Sequence, residues 1–454
     1  MKKITSIIFL LLISISLFAV NFEELEKSME ENNLDYLKAK QEQNLSLLDV
    51  KDAKAGFFPT VNLTCTASYL ANPIDPIIIE SDTLLSDLGL SNLSTSGLGD
   101  DYITLYEGQE STYYQFKLEL TQPVFTWGKL SKALDIYNAV YELKSLQVLD
   151  LLEKNKNELK TRLAILYFLK KTEDVLNEEK ELAEKLVEIT RDSFEENVVL
   201  EVDVAQAEVT ARELDVAIAQ LEEQKQVMLD NIKSLSGLEN LQIEDISFDE
   251  DEDYSSYLEL DQKELEESST SSFKTTFRIL EKLKEIALLT RDVSSASVNW
   301  KPDFAFVASL DYTGARMPLA ETDWYRKDDY GLTLTLAVKS TVFDGGKAIR
   351  DVKRKNLDVE ISTIDSSKAK QEILSTLREN LAKMKLANTR IRYYDAKEEV
   401  AIKKVDHQKI LSDLGSGSQM DLIKAELEVK NAQLERLKEQ INLVSAFYIV
   451  NYLT

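Results

Sequence analysis

Hydrophobic and polar positions alternate strictly in four separate stretches of the chain. Val61, Leu63, Cys65, Ala67 and Tyr69 share one parity, and Asn62, Thr64, Thr66 and Ser68 the other. The same period sets Phe116, Leu118 and Leu120 against Lys117, Glu119 and Thr121. It sets Phe304, Phe306, Ala308, Leu310 and Tyr312 against Ser309 and Asp311, and Leu332, Leu334, Leu336 and Val338 against Thr333, Thr335 and Lys339. A period of two predicts strands, here at about 60–70, 114–125, 303–312 and 331–343.

Elsewhere the period is helical, predicting helices at about 22–56, 129–196, 200–236, 271–299, 347–412 and 419–450. Helices 22–56 and 271–299 run up to Pro59 and Pro302, which disfavour further helix and lead into strands. Helices 129–196 and 347–412 contain no proline and no internal glycine. Each would extend about 100 Å at about 1.5 Å per residue, a length that demands coiled-coil packing. In 200–236 the residues Leu200, Ala207, Leu214, Leu221, Met228 and Leu235 recur as a heptad stripe. Val204, Ala211, Ile218, Lys225 and Ile232 interleave with them, and Lys225 alone breaks the apolar pattern. Met420, Leu427, Leu434, Ile441 and Tyr448 repeat that stripe in the last helix. A second row, Val202, Val209 and Val216, points to helices with neighbours on two sides, as in a ring, although an ordinary hairpin within one chain also fits the heptads.

These elements form two halves. Val124-Phe125 recurs as Val342-Phe343, Gly128-Lys129 as Gly346-Lys347, Leu163-Ala164 as Leu381-Ala382, Asp203 as Asp421 and Ala207-Glu208 as Ala425-Glu426. All lie in one register without a gap, and such a repeat fixes an architecture. The first half spans 20–236 and the second 271–454, each ordered helix, strand, strand, helix, helix. Between them, 237–270 includes the acid-rich run Glu244–Asp253 and reads as a solvated acidic linker or equatorial segment.

The strands fit either a half-buried soluble sheet or a membrane barrel. Three features favour the barrel. Their apolar parities carry no charge, which lipid would penalise. Aromatic residues gather at the strand ends, among them Phe125, Trp127, Trp300, Trp324 and Phe343, as an interfacial girdle requires. The connections 71–111 and 313–329 suit the outer loops of two hairpins. Four strands cannot close a barrel, and an open edge cannot sit in lipid, so the barrel reading requires association with further copies.

The N-terminus and the composition narrow the class. Lys2 and Lys3, the apolar run Ile4–Leu17 and Ala19 form a secretory signal pattern over 1–19, too short to span a bilayer as a helix. The net charge is −26 and no basic patch offers itself to nucleic acid. One cysteine, Cys65, and one histidine, His407, exclude a disulfide framework and argue against Cys–His, Ser–His–Asp and His-zinc chemistry. Gly128-Lys129-Leu130 and Gly346-Lys347-Ala348 lack the rest of a phosphate-binding loop. No catalytic constellation, cofactor motif or metal motif emerges, so an enzyme is not expected.

The order of these elements resembles the TolC family of outer-membrane efflux and secretion channels. The residues that carry the likeness are Gln122-Pro123-Val124-Phe125-Thr126-Trp127-Gly128-Lys129, Val342-Phe343-Asp344-Gly345-Gly346-Lys347, and the turn from Leu414 to Ala425. The resemblance implies a mainly α fold with transmembrane β structure. A homotrimer would form a twelve-stranded barrel in outer-membrane lipid, continuing into a long periplasmic α-helical barrel. It implies work with a periplasmic adaptor protein and an inner-membrane pump. It also implies closure at the hairpin tips, here Asn197 and Val198 and the run Leu414, Gly415, Ser416, Gly417 and Ser418. Asp421 falls on the family's first gate aspartate and Lys424 on a frequent second one. Gly417 stands where an arginine latch can occur, and Asp203 matches that latch's acidic partner. Both aspartates also suit a helix N-terminus, where an acid is favoured by about 0.3–1 kcal/mol. A non-conducting, membrane-anchored coiled-coil spacer is the alternative from another class. A soluble adaptor is disfavoured, since adaptors want compact β domains.

Overall fold

The structure is a computed structural model. It describes residues 20–80, 87, 102–248, 254, 256–259, 262–271, 274–297, 301–317, 330–414 and 416–454. The signal segment 1–19, the acidic run 249–253, Trp300, Trp324 and Gly415 lie outside the described residues. The chain divides into two compact units. One takes residues up to Leu47, Ala139–Ala287 and Asp358–Thr454; the other takes Leu48–Asn138 and Leu288–Leu357.

The second unit contains the strands β1 (Thr60–Tyr69), β2 (Ile77–Glu80), β3 (Tyr102–Tyr106), β4 (Thr112–Phe125), β5 (Asp303–Gly314) and β6 (Tyr330–Lys339). The alternating stretches form one antiparallel sheet in the order β1-β4-β5-β6, with β1 and β6 at open edges. The two halves of the sequence meet at its centre, where β4 pairs with β5 from Tyr114↔Gly314 to Phe125↔Phe304. Register shifts between Pro123 and Phe125, so the proline that would interrupt a ladder sits at an irregularity. Strand β6 stops at Lys339 rather than at 343, because its last partner on β5 is Asp303. Val342 and Phe343 stand exposed beyond the ladder. The segment 71–111 is not a plain loop: β2 and β3 pair as a small antiparallel ribbon.

The helices are α1 (Phe22–Asn32), α2 (Leu34–Ala55), α3 (Lys129–Glu195), α4 (Glu201–Ser236), α5 (Ser256–Glu259), α6 (Gln262–Ser269), α7 (Thr275–Ala296), α8 (Lys347–Asp413) and α9 (Gln419–Leu453). Helices α3 and α8 have 67 residues each and begin at Lys129 and Lys347, the register in which the sequence motifs recur. The predicted single helix 22–56 is broken at Asn33. Its ψ of 120° leaves the helical region, its Oδ1 accepts from the Tyr36 N–H at 2.9 Å, and its Nδ2 donates to the Leu235 carbonyl at 3.0 Å. The buried asparagine thus ends one helix, caps the next and ties both to the end of α4. There Gly237 has φ +71°, and a Cβ on it would lie 2.5 Å from Asn32 Cβ, so the close approach requires glycine.

The core of the helical unit follows the heptads. Leu214 and Leu221 of α4 pack with Leu169, Leu176 and Ala183 of α3, and Ala207 packs with Leu186 of α3 and Ile423 of α9. Phe168, Leu377, Met384, Val444 and Tyr448 form a second cluster, joined by Leu265 of α6. The segment 237–270 is therefore not merely a solvated linker. Leu241, Ile246 and Leu265 are buried, Val20 bridges to Ile246, and Arg378 of α8 grips Glu266 with two bonds of 2.8 and 2.9 Å. The Arg378 guanidinium lowers the Glu266 carboxyl to about 2.

Lys225, the residue that breaks the stripe, is buried with it. Its side chain is 8% exposed, and its ammonium lies 2.7 Å from Glu173 and 2.8 Å from Glu222. Burial alone would depress its pKa, but the two carboxylates raise it above the ordinary lysine value. The acids stay partly hydrated, so their attraction is screened. Lys225→Met is expected to be neutral or stabilising in thermal melts, because it removes the charge and its need for partners. The double change Glu173→Ala, Glu222→Ala is expected to cost on the order of 1–3 kcal/mol, since it leaves a buried ammonium donor unsatisfied. Equal melts for the two variants would refute this account.

Candidate functional site: the sheet faces and the helix tips

The register puts the apolar parity of all four main strands on one face. One cross-strand row is Val61, Leu120, Ala308 and Leu334; the next is Leu63, Leu118, Leu310 and Leu332; then come Cys65, Phe116, Tyr312 and Tyr330. Those side chains have nothing packed over them within the chain at the edges: Leu63 is 65% exposed, Leu332 71% and Leu334 64%. The other face is polar, with rows Asn62, Glu119, Ser309, Thr333 and Thr64, Lys117, Asp311, Gly331. A soluble monomer rarely leaves so continuous an apolar face uncovered. One apolar and one polar face is the pattern of a membrane barrel wall.

At the base of the sheet, both strand-to-helix junctions use two consecutive residues with positive φ. Trp127 (φ 55°) and Gly128 (φ 78°) precede α3, and Gly345 (φ 66°) and Gly346 (φ 79°) precede α8. A tryptophan in that region is strained by roughly 1–3 kcal/mol. Its neighbours hold it there. The indole Nε1 donates to the Pro302 carbonyl at 2.8 Å, the ring meets Phe125 edge-on at 4.9 Å, and Lys301 lies 5.3 Å from the ring centre. At the second junction Asp344 caps α8, accepting from the N–H groups of Gly346, Lys347 and Ala348 at 2.9, 3.0 and 2.7 Å. The Ala348 N–H above all holds the Asp344 carboxyl below its ordinary pKa. Phe125, Trp127 and Phe343 are thus gathered near the sheet base and exposed.

The first of the two helix tips also uses a positive φ. Asn197 has φ 63°, its N–H donates to Phe194 O at 2.9 Å, and the Val198 N–H donates to Ser193 O at 2.8 Å. This is a Schellman ending with asparagine in the left-handed position. At the other tip the Ser416 N–H donates to Leu411 O at 3.0 Å. A Cβ on Gly417 would lie 2.5 Å from Ser412 N, so that turn also excludes a side chain. Val198, Leu200 and Leu414 are exposed at these turns.

The candidate gate residues differ in their local duties. The Asp203 Oδ2 accepts from the Leu200 N–H at 2.9 Å, which commits it to the start of α4. Asp421 lies in the first turn of α9, where Ser418 leads the helix, and its carboxylate makes no hydrogen bond or ion pair among the described residues. Lys424, three residues on, is exposed on the same side and unpaired among the described residues. Together they line a groove of about 580 Å³ between α8 and α9 with Lys403, Lys404, His407 and Glu428. Lys404 pairs with Glu428 at 2.5 Å and Lys403 with Glu399 at 2.6 Å. The lone histidine therefore sits in a lysine-rich wall.

Cys65 is exposed on the apolar face of the sheet. Among the described residues no three His, Cys, Asp or Glu side chains gather to hold a metal, and no helix is long and apolar enough to cross a membrane. Two features escaped the reading of the sequence. The β2–β3 ribbon was signalled only by the run Ile77-Ile78-Ile79. The break at Asn33 was signalled only by the pair Asn32-Asn33.

Residues 25–238 match the outer membrane efflux protein family. Among solved structures, the chain is similar to the outer-membrane channel OprN at 15% identity, with a TM-score of 0.73 over 95% of this chain and 89% of that one. It is similar to the outer membrane protein VceC from Vibrio cholerae at 12% identity, with a TM-score of 0.71 over 95% of both chains. It is also similar to the Campylobacter jejuni CmeC outer membrane channel at 12% identity, with a TM-score of 0.72 over 95% of this chain and 85% of that one. At these identities the likeness is one of fold. No curated protein matches the sequence.

Proposed function

We propose that this chain, whose first half matches the outer membrane efflux proteins and whose fold is that of TolC-type outer-membrane channels, is one subunit of an exit duct in the outer membrane. It passes solutes or polypeptides from a periplasmic adaptor and an inner-membrane pump to the exterior, as part of a tripartite efflux pump or a secretion system. The observation that carries this reading is the sheet, with four strands, one uninterrupted apolar face and two open edges. Lipid can cover the face, but only another copy can cover the edges. Three copies give twelve strands, between the small barrels filled by side chains and the large ones that enclose water. The exposed valines 202, 209 and 216 supply a second packing row for neighbouring helices in a ring. The tip turns at 197–198 and 414–418 then meet the adaptor, and Asp421 lines the entrance.

The deciding experiment is single-channel recording of the purified protein in planar bilayers. We expect a steady pore from a species that crosslinks as a trimer in detergent. A trimer that never conducts would establish the spacer instead, and recovery of a soluble monomer from the periplasm would refute both. Topology gives an independent check. A tag at Ser94, which lies outside the described residues, is expected to be labelled on intact cells, and a tag at Ser416 is not; the reverse pattern would overturn the orientation.

A further inference from the structure

Among the described residues of the four paired strands, the charges on the polar face gather in two zones. Near the helices, Asp303 faces Lys339 in the register and binds Lys129 Nζ through both oxygens at 2.9 Å. Farther along β5, about 27 Å away at about 3.4 Å per residue, three charges sit together. Lys117 lies 2.5 Å from Glu119 on its own strand and directly opposite Asp311 on the next. The Ser309 hydroxyl donates to Asp311 Oδ2 at 2.7 Å, which fixes that carboxylate in place. On its far side Asp311 faces Gly331, where a Cβ would meet nothing within 4 Å, so nothing shields it there. The remaining cross-strand neighbours, Thr64, Asn62 and Thr333, are neutral. One lysine against two carboxylates leaves one negative charge per chain at this level.

We propose that Lys117, Glu119 and Asp311 form an ion-selectivity belt inside the barrel, one that favours cationic solutes over anionic ones and acts separately from the helix tips. The inference rests on the barrel reading above, because only a closed barrel turns the polar face into a lumen. In three copies the belt carries three uncompensated negative charges on a low-dielectric wall, where they raise the local cation concentration. The second charged level lies beyond the screening length of about 8 Å at physiological salt, so it does not cancel the belt. The lysine has a definite part. Paired with Glu119 and facing Asp311, it limits the net field of the belt, so removing it strengthens cation preference rather than abolishing it.

The test is the reversal potential of the trimeric channel under a potassium chloride gradient, read in the natural sequence and again with Asp421→Asn. The double variant Glu119→Gln, Asp311→Asn reverses the belt's charge and is expected to move the channel from cation preference to anion preference. Lys117→Gln is expected to shift the potential the opposite way, and it serves alone if the double variant does not assemble. Reversal potentials unchanged by both variants, in both backgrounds, would overturn the belt while leaving the channel standing. A natural-sequence protein that forms no pore would instead refute the barrel reading on which the belt depends.

Discussion

Leu334→Arg is expected to remove the protein from the outer membrane and abolish the proposed detergent-stable trimer. Leu334 sits in the middle of the edge strand β6, in the row Val61, Leu120, Ala308 and Leu334, and is 64% exposed on the apolar face. An arginine facing lipid near the bilayer midplane costs about 2–4 kcal/mol. A homotrimer carries it three times, a total on the order of 6–12 kcal/mol, which rivals the whole stability of an ordinary domain. The control is the adjacent residue. Thr333→Arg places the same side chain on the polar face, beside Ser309, where water solvates it, and is expected to assemble normally. Membrane fractionation and unheated gel electrophoresis read both variants. If Leu334→Arg assembles as well as Thr333→Arg does, the apolar face does not meet lipid, and the barrel reading fails with it.

What could be read in advance follows from the range of the interactions involved. The strands were legible because their period belongs to the backbone: residues two apart share a face whatever they pair with. The long helices were legible because breakers are absent from 129–195 and 347–413. The end of β6 was not, since it is decided by where β5 runs out, a partner defined by pairing rather than by the residues of β6. Asn33 looked like one more polar helical residue until the end of α4, some 200 positions away, supplied the carbonyl that holds it. Lys225 appeared as a flaw in a heptad stripe because Glu173 belongs to another helix. The candidate gate was legible only as residue types near turns. Its two aspartates are equivalent in the repeat, and only the hydrogen bond to Leu200 separates a capping acid from an uncommitted one.

That separation yields the last expectation. Asp421→Asn is expected to weaken the channel's cation preference and its block by multivalent cations, while leaving the trimer intact. Asp203→Asn is expected to do neither. Asp203 already serves the Leu200 N–H at 2.9 Å, and an asparagine carbonyl can accept the same bond at the helix start with little loss. Asp421 caps nothing through its side chain, so its loss costs the helix only the dipole contribution of about 0.3–1 kcal/mol; what disappears is charge. In the proposed trimer three copies of Asp421 would converge at a tip, where three like charges in a narrow passage attract cations. Lys424 stands one turn on and exposed, so on the proposed reading the field at the tip would be a partial cancellation rather than a double acidic ring. Lys424→Gln should therefore strengthen cation preference where Asp421→Asn weakens it. The discriminating measurement is multivalent-cation block added from the side of the helix tips, recorded for all three variants alongside the natural sequence. Opposite shifts for positions 421 and 424, with position 203 silent, are expected. Equal block in all four proteins would mean that Asp421 does not line the constriction.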